Sequence, residues 1–138
     1  MRQPAGGPTV QVFGRHDSQA TRRCLRFFKE RRIGVSFVDI ARRAPAAAEL
    51  SRFAQRFGAH ALLDTESRAY RSAGLAYLRQ SDAEVLERIR AEPALLRLPL
   101  ARFGVHLSIG PDEAAWRGWD AAIRDSAARA ARSSAGAQ

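Results

Sequence analysis

A strand, a polar turn, an amphipathic helix and a second strand follow one another in the first third of the chain. TVQVF alternates apolar and polar residues over 9–13, which predicts a half-buried strand. From Ser18 to about Arg32, apolar side chains recur at spacings of three and four, as on the buried face of a helix that Gly34 ends. VSFVDI, residues 35–40, predicts the second strand. This order predicts a parallel βαβ unit, in which the helix packs on the sheet that the two strands share.

The remainder of the chain adds short helices, a hairpin and a last helix. Helices are predicted over residues 49–57 and 82–91, and residues 99–110 predict two strands joined by a tight turn at Gly104. The last helix opens at Gly110 and Pro111, and its apolar residues Trp116, Trp119 and Ile123 have the spacing of a buried face.

The elements fit a single domain. We expect a flexible lead over residues 1–8, a domain over 9–125 that includes a helical lobe at about 45–95, and a flexible tail over 126–138.

The net charge of +9 is unevenly distributed. Residues 1–45 hold ten basic and three acidic side chains, a balance of +7, whereas residues 46–138 hold thirteen and eleven, a balance of +2. The bias favours an anionic partner that meets the first third of the chain. The simpler alternative is a surface adapted for solubility in an arginine-rich protein, since Lys29 is the only lysine.

Several classes of protein are not expected. A single cysteine allows no internal disulfide, and we see neither a signal peptide nor an apolar run long enough to span a membrane. We therefore expect a cytoplasmic protein without membrane contact. His16, His60 and His106 lack the spacing of metal ligands, so no metal site is expected.

Five segments together resemble a known family over roughly residues 9–120. They are VFGRHDSQATRRCLRFFKERRI, VSFVDI, AELSRFAQRFGAHALLDTESRAYRSAGL, SDAEVLERIRAEPALLRLPL and GVHLSIGPDE. Their order resembles the arsenate reductases that couple to glutaredoxin, and their Spx-type regulatory relatives. The resemblance implies an α/β, thioredoxin-like fold: a four-stranded mixed sheet with a helical lobe inserted between the second and third strands. It also implies a cis bond between Leu98 and Pro99.

At the active-site turn the resemblance aligns Ser18 with the family's nucleophilic cysteine. Thr21 aligns with the second cysteine of Spx-type members, and Arg22 matches a family arginine.

The family's oxyanion-binding arginines are replaced in the same alignment. One aligns with Asp64, or with Glu66 if the Spx-type relatives are the guide, and another aligns with Leu98. A third has no counterpart in IGPDE, although Pro99 matches the family proline.

These replacements change the expected chemistry. A serine hydroxyl provides no thiolate and forms no mixed disulfide, so we expect Ser18 to cap the helix. The alternative is a nucleophilic Ser18 with His16 as its base. An acidic and apolar pocket would bind arsenate poorly, so no arsenate reduction is expected. Cys24 lies at an apolar helical position, which favours a buried, inert thiol over a redox-active one.

The residues that remain form a candidate binding site. Arg22, Arg26 and Lys29 follow one helix face, with Arg15 and Arg23 at its flanks; a simply solvated face is the alternative. We expect an anion- or partner-binding site made of Arg15, His16, Ser18, Arg22, Arg26 and Pro99.

Two functions remain open. The first is a non-catalytic binding or regulatory module for an acidic protein or a small anion. The second is a glutathione- or glutaredoxin-linked oxidoreductase with altered chemistry. No cofactor is expected, with glutathione as the one candidate. Basic and aromatic residues do not interleave, which disfavours direct nucleic-acid binding.

Overall fold

One mixed sheet organises the protein, and the computed structural model describes it within residues 8–136. Its strands are β1 (Thr9–Gly14), β2 (Gly34–Asp39), β3 (Leu100–Phe103) and β4 (His106–Ile109), in the spatial order β2-β1-β3-β4. β1 pairs with β2 in parallel and with β3 antiparallel, and β4 completes an antiparallel hairpin with β3. The predicted α/β, thioredoxin-like sheet is confirmed.

Within residues 8–136, five helices surround the sheet. They are α1 (Gln19–Glu30), α2 (Ala47–Phe57), α3 (Arg68–Ser72), α4 (Asp82–Ala91) and α5 (Glu113–Gly136). Three short 3-10 turns lie at Ala59–Leu62, Leu75–Tyr77 and Pro93–Leu95. Three of the helices and all three turns fall between β2 and β3, which places the helical lobe where it was expected.

The sheet separates two buried clusters because successive strand residues point to opposite faces. Val12 and Ala101 belong to the cluster that includes residues of α1 and α5, whereas Phe13 and Leu100 belong to the cluster under the helical lobe. In the first cluster, the indole Nε1 of Trp116 donates to Ser108 Oγ at 3.1 Å, and both residues are fully buried. Trp116 and Trp119 are therefore core residues, as their spacing predicts.

The prediction that Gly34 ends the first helix is wrong. α1 ends at Glu30, and the left-handed conformation that closes it belongs to Arg32, whose φ is 58°. Gly34 is instead the first residue of β2. The turn is held by main-chain bonds, in which the Arg32 and Ile33 amides donate to the Lys29 and Phe28 carbonyls, so it does not require glycine.

The ends of the chain also differ from the expectation. The last helix begins at Glu113 and not at Gly110, because the Asp112 carboxylate accepts from the Ala115 amide at 3.1 Å and caps it. The expected flexible tail is helical as far as Gly136. Alanine favours helix, and ion pairs four residues apart support it, among them that of Arg129 with Asp125.

The flexible lead predicted for residues 1–8 lies outside the described residues except for Pro8. Between residues 8 and 136, no helix combines the length and apolar character needed to cross a membrane.

Candidate functional site

The turn between β1 and α1 is built around a close contact of Gly14 with Thr21. A Cβ atom on Gly14 would lie 2.5 Å from Thr21 Oγ1, so no larger residue fits without displacing the helix. Thr21 is fully buried, and its hydroxyl faces the Arg15 amide at 3.4 Å. The start of α1 is therefore fixed against the end of β1. This gives Thr21, at the position of the second Spx-type cysteine, a packing role.

Ser18 caps α1, as predicted. Its Oγ accepts a hydrogen bond from the Thr21 amide at 3.1 Å, and its carbonyl accepts from the Arg22 amide at 3.0 Å. The Ser18 amide in turn donates to the Arg15 carbonyl at 3.1 Å. The hydroxyl oxygen, the carbonyl and the amide of Ser18 thus all form hydrogen bonds that stabilise the start of α1. At the position that aligns with the family cysteine, the Ser18 side chain therefore acts as the helix cap.

His16 does not serve Ser18 as a base in this geometry. Its ring lies on Phe37, with ring centroids 4.8 Å apart and planes tilted by 47°. The structure contains no hydrogen bond between the His16 ring and the Ser18 hydroxyl. The imidazole is therefore oriented toward the β2 side of the turn.

Two of the three expected binding arginines already have partners within the turn. Arg15 Nε lies 3.1 Å from Asp17 Oδ1, and Arg22 Nη1 donates to the His16 carbonyl at 2.7 Å. Arg26 is exposed and makes no ion pair with any residue in the described range. It lines a groove of about 220 Å³ between α1 and α5, together with Arg23, Phe27, Glu30, Arg31 and Glu113.

Pro99 lies at the same edge of the sheet as the turn. Phe13 pairs with Leu100, so the residues just after β1 and just before β3 are neighbours. The bond between Leu98 and Pro99 is cis, as the resemblance implied. Leu98 is 8% exposed and packs into the cluster beneath the helical lobe, so an apolar side chain occupies the position that aligns with a family arginine.

The loop after Leu63 presents carboxylates. Asp64 Oδ1 accepts from the Glu66 amide at 3.1 Å, which fixes the Asp64 side chain in a local turn. Glu66 is exposed next to it. Both residues that align with the family's loop arginine thus carry carboxyl groups, and both line the same groove.

Sequence reasoning missed Arg97, whose guanidinium lies between two grooves. One groove, of about 310 Å³, also contains Asp64, and the other, of about 340 Å³, contains Asp112. A Cβ atom on Gly110 would lie 3.0 Å from Arg97 Nε, so this glycine allows the guanidinium to lie flat on the backbone. The available signal was an arginine immediately before Leu98, one residue away from the aligned family arginine.

Cys24 is fully buried, as predicted. It belongs to the cluster of Val10, Phe28 and Trp116. Burial raises the pKa of its thiol from 9.0 to about 12, because the core does not solvate a thiolate. At neutral pH the sulfur is protonated and shielded from reagents.

The other two histidines lie apart from the turn. His60 Nδ1 is 3.6 Å from Asp82 Oδ1 on the lobe surface, and His106 stacks on Phe103 in the hairpin. Among residues 8–136, no three side chains of the types that bind metals come together.

Comparison with known proteins identifies the family. The profile of the ArsC family matches residues 16–119, which is most of the chain. The chain belongs to the ArsC family. No curated protein sequence matched it.

Solved structures share the ArsC fold at low sequence identity. An arsenate reductase from Vibrio cholerae is 18% identical, with a TM-score of 0.70 over 78% of this chain and 96% of its own. An arsenate reductase (ArsC) related protein from Brucella melitensis is 18% identical, with a TM-score of 0.62 over 85% and 98%. A Staphylococcus aureus protein is 22% identical, with a TM-score of 0.64 over 79% and 96%.

Proposed function

We propose that this ArsC-family protein is a non-catalytic, Spx-like member that lacks the redox cysteine and acts as a binding or regulatory module. Its partner is an acidic protein or a small anion, and its contact surface is the β1–α1 turn with the first turns of α1. The observation that carries the proposal is the placement of the only thiol. Cys24 is buried in the core with a pKa of about 12, while Ser18 at the turn acts as a helix cap.

The chemistry of the turn supports this proposal. Thiol exchange requires a thiolate that attacks sulfur and forms a mixed disulfide. A helix N-terminus and nearby arginines favour such an anion by lowering a cysteine pKa, but a serine alcohol ionises far above neutral pH. Ser18 therefore retains the electrostatic surroundings of a nucleophile without an ionisable sulfur.

The surroundings of Pro99 support the loss of arsenate reduction. Oxyanions are bound best by guanidinium groups that donate paired hydrogen bonds. Here the Leu98 side chain offers no hydrogen bond, and the groove that contains the Arg97 guanidinium also carries the carboxylates of Asp64 and Glu66, which oppose the binding of an anion there.

An assay of arsenate reduction with glutathione and glutaredoxin tests the catalytic part of the proposal. We expect no turnover above the protein-free reaction. Turnover that survives Cys24→Ser but is lost in Ser18→Ala would assign catalysis to Ser18 and contradict the proposal. Turnover that is lost in Cys24→Ser would contradict it as well, because it would require the buried thiol to react.

A titration with inorganic phosphate and with polyglutamate tests the binding part. We expect amide chemical shifts to change at Gln19 and Ala20, whose N–H groups lie in the first turn of α1. The double variant Arg22→Glu/Arg26→Glu should abolish these changes. The control Arg52→Glu/Arg79→Glu alters the net charge equally on exposed residues of the lobe and should retain them. Equal losses in both variants would show a general charge effect and would contradict a site at the turn.

A glutathione- or glutaredoxin-linked oxidoreductase with altered chemistry is the second candidate. The guanidinium of Arg97 favours it, because Arg97 lines two grooves, makes no ion pair within residues 8–136 and is available to a carboxylate ligand. Glutathione-dependent turnover of a small disulfide, lost in Arg97→Ala, would favour this candidate over the first.

A further inference from the structure

Helices α1 and α5 run side by side in the same direction. Arg23 Nη2 lies 2.7 Å from Glu113 Oε1 near their starts, and Arg31 Nε lies 3.8 Å from Asp120 Oδ2 near the end of α1. From Asp120, α5 continues to Gly136, which at 1.5 Å per residue is about 24 Å. The residues from 124 to 135 are all exposed, so this part of α5 projects beyond the packed core.

Most of the protein's net charge lies on this helix pair and on the turn that follows α1. Residues 19–32 carry six basic and one acidic side chain, and residues 113–136 carry four and three, a combined +6 of the total +9. Five of these cations form no ion pair within the described range, and we refer to the surface that carries them as the α1–α5 surface. They are Arg22, Arg26, Lys29, Arg32 and Arg132.

Three of these five cations lie on α1 and face solvent together. Arg22, Arg26 and Lys29 are exposed and share one side of the helix, opposite the buried side that contains Cys24 and Phe28. Arg22 donates to the His16 carbonyl and keeps its charge in doing so. Together with Arg132 on the projecting helix, these side chains extend the positive surface well past the end of α1.

This surface lacks the apolar anchors of a protein interface. After Ile123, α5 contains only alanine, arginine, aspartate, serine and glycine. In the described part of the chain, the exposed large apolar side chains are Tyr77, Leu78 and Val105, which lie in the lobe and at the tip of the hairpin. Protein interfaces draw much of their free energy from buried aromatic and aliphatic side chains, whereas contacts with phosphates require cations alone.

We propose that the α1–α5 surface binds the phosphate backbone of a nucleic-acid duplex without reading its bases. Small side chains on the projecting helix permit close approach to the backbone, and arginine pairs with phosphate oxygens through two parallel hydrogen bonds. The absence of interleaved aromatic residues, which disfavours base recognition, does not oppose contacts with phosphates. The inference goes beyond the proposed function, which concerns the turn, and the two share only Arg22 and Arg26.

Counterion release gives the interaction a measurable signature. Each neutralised phosphate contributes about −0.9 to the slope of log affinity against log salt concentration. If all five cations contact phosphates, the slope is about −4.5. Loss of two of them makes the slope shallower by about 1.8.

The experiment measures fluorescence anisotropy of a labelled mixed-sequence DNA duplex across a series of salt concentrations. The test variant is Lys29→Glu/Arg132→Glu, which leaves the turn intact. The matched control is Arg52→Glu/Arg79→Glu, which lowers the net charge equally on exposed side chains that form no ion pair in the described structure. We expect the full-length wild-type protein and the control to bind with a steep slope, and the test variant to bind more weakly with a shallower slope.

Two outcomes would overturn the inference. They are no binding of the duplex at low salt and equal weakening of binding in the two variants. The phosphate titration of Gln19 and Ala20 is unaffected by these outcomes, so failure here and failure of the proposed function are distinguishable.

Discussion

Replacing Ser18 by alanine removes one hydrogen bond from the start of α1 and little else. The Ser18 Oγ bond to the Thr21 amide, at 3.1 Å, is lost, while the Ser18 carbonyl still accepts from Arg22. Loss of such a cap costs about 1 kcal/mol. The entropy of unfolding of a domain this size converts that cost into a fall in Tm of about 3 °C.

Urea unfolding and calorimetry measure this change, and two further variants calibrate it. Ser18→Asp keeps an acceptor at the N-cap and should retain wild-type stability. Ser81→Ala removes the equivalent bond at the start of α4, where Ser81 Oγ accepts from the Glu84 amide at 3.2 Å, and should cost a similar amount. A Ser18→Ala variant that is as stable as the wild type, or more stable, would refute this prediction, because removal of a strained catalytic residue commonly stabilises a protein. A Ser18→Asp variant as unstable as Ser18→Ala would refute it as well.

Three further predictions concern the turn and the core. Gly14→Ala should lower the free energy of unfolding in urea by about 1–3 kcal/mol, because the added methyl group clashes with Thr21. If the effects of Gly14→Ala and Thr21→Ala simply add in a double-mutant cycle, this clash is not the cause. Trp116→Phe removes the donor of the buried Ser108 hydroxyl and should lower the free energy of unfolding by about 1–3 kcal/mol. The double variant with Ser108→Ala should lose less than the sum of the two single losses. A Trp116→Phe variant as stable as the wild type would refute the importance of this hydrogen bond. Burial raises the pKa of Cys24 from 9.0 to about 12, so unfolding between these pH values releases a proton from the thiol. The free energy of unfolding of the wild type, relative to that of Cys24→Ala, should therefore fall by about 1.4 kcal/mol per pH unit from about pH 9 to about 12. A difference that does not change with pH would show that the thiol ionises equally in both states.

The sheet and α1 were predictable because local patterns and packing agree there. The alternation in β1 matches a strand that contributes Val12 to one buried cluster and Phe13 to the other. Ser18 was predictable as a cap because its side chain acts on an amide three residues away, within the reach of sequence reasoning.

Features that depend on long-range packing or on backbone conformation were not predictable in the same way. Arg32 adopts a positive φ where Gly34 was expected to end the helix, because main-chain bonds to Lys29 and Phe28 hold the turn. The length of α5 was missed because its apolar face stops near Ile123, whereas alanine content and local ion pairs carry the helix farther.

The candidate site was predictable in its residues but not in their contacts. The sequence places Arg15, Arg22 and Arg26 near the turn, yet the first two are engaged by Asp17 and by the His16 carbonyl. Arg97 escaped notice because its availability depends on Gly110, thirteen positions away in the chain, whose missing side chain makes room for the guanidinium.

The reactivity of thiols in the native protein tests the central claim most directly. The measurement is the rate at which a disulfide reagent such as dithionitrobenzoate modifies wild type and Ser18→Cys at pH 8, with Ser18→Cys/Cys24→Ser as the control. The wild type should react only as fast as it unfolds, because Cys24 is fully buried and its pKa is about 12. Ser18→Cys should react rapidly at one site, because the helix N-terminus and nearby arginines favour a thiolate there. Rapid modification of Cys24 in the folded wild type would contradict the account.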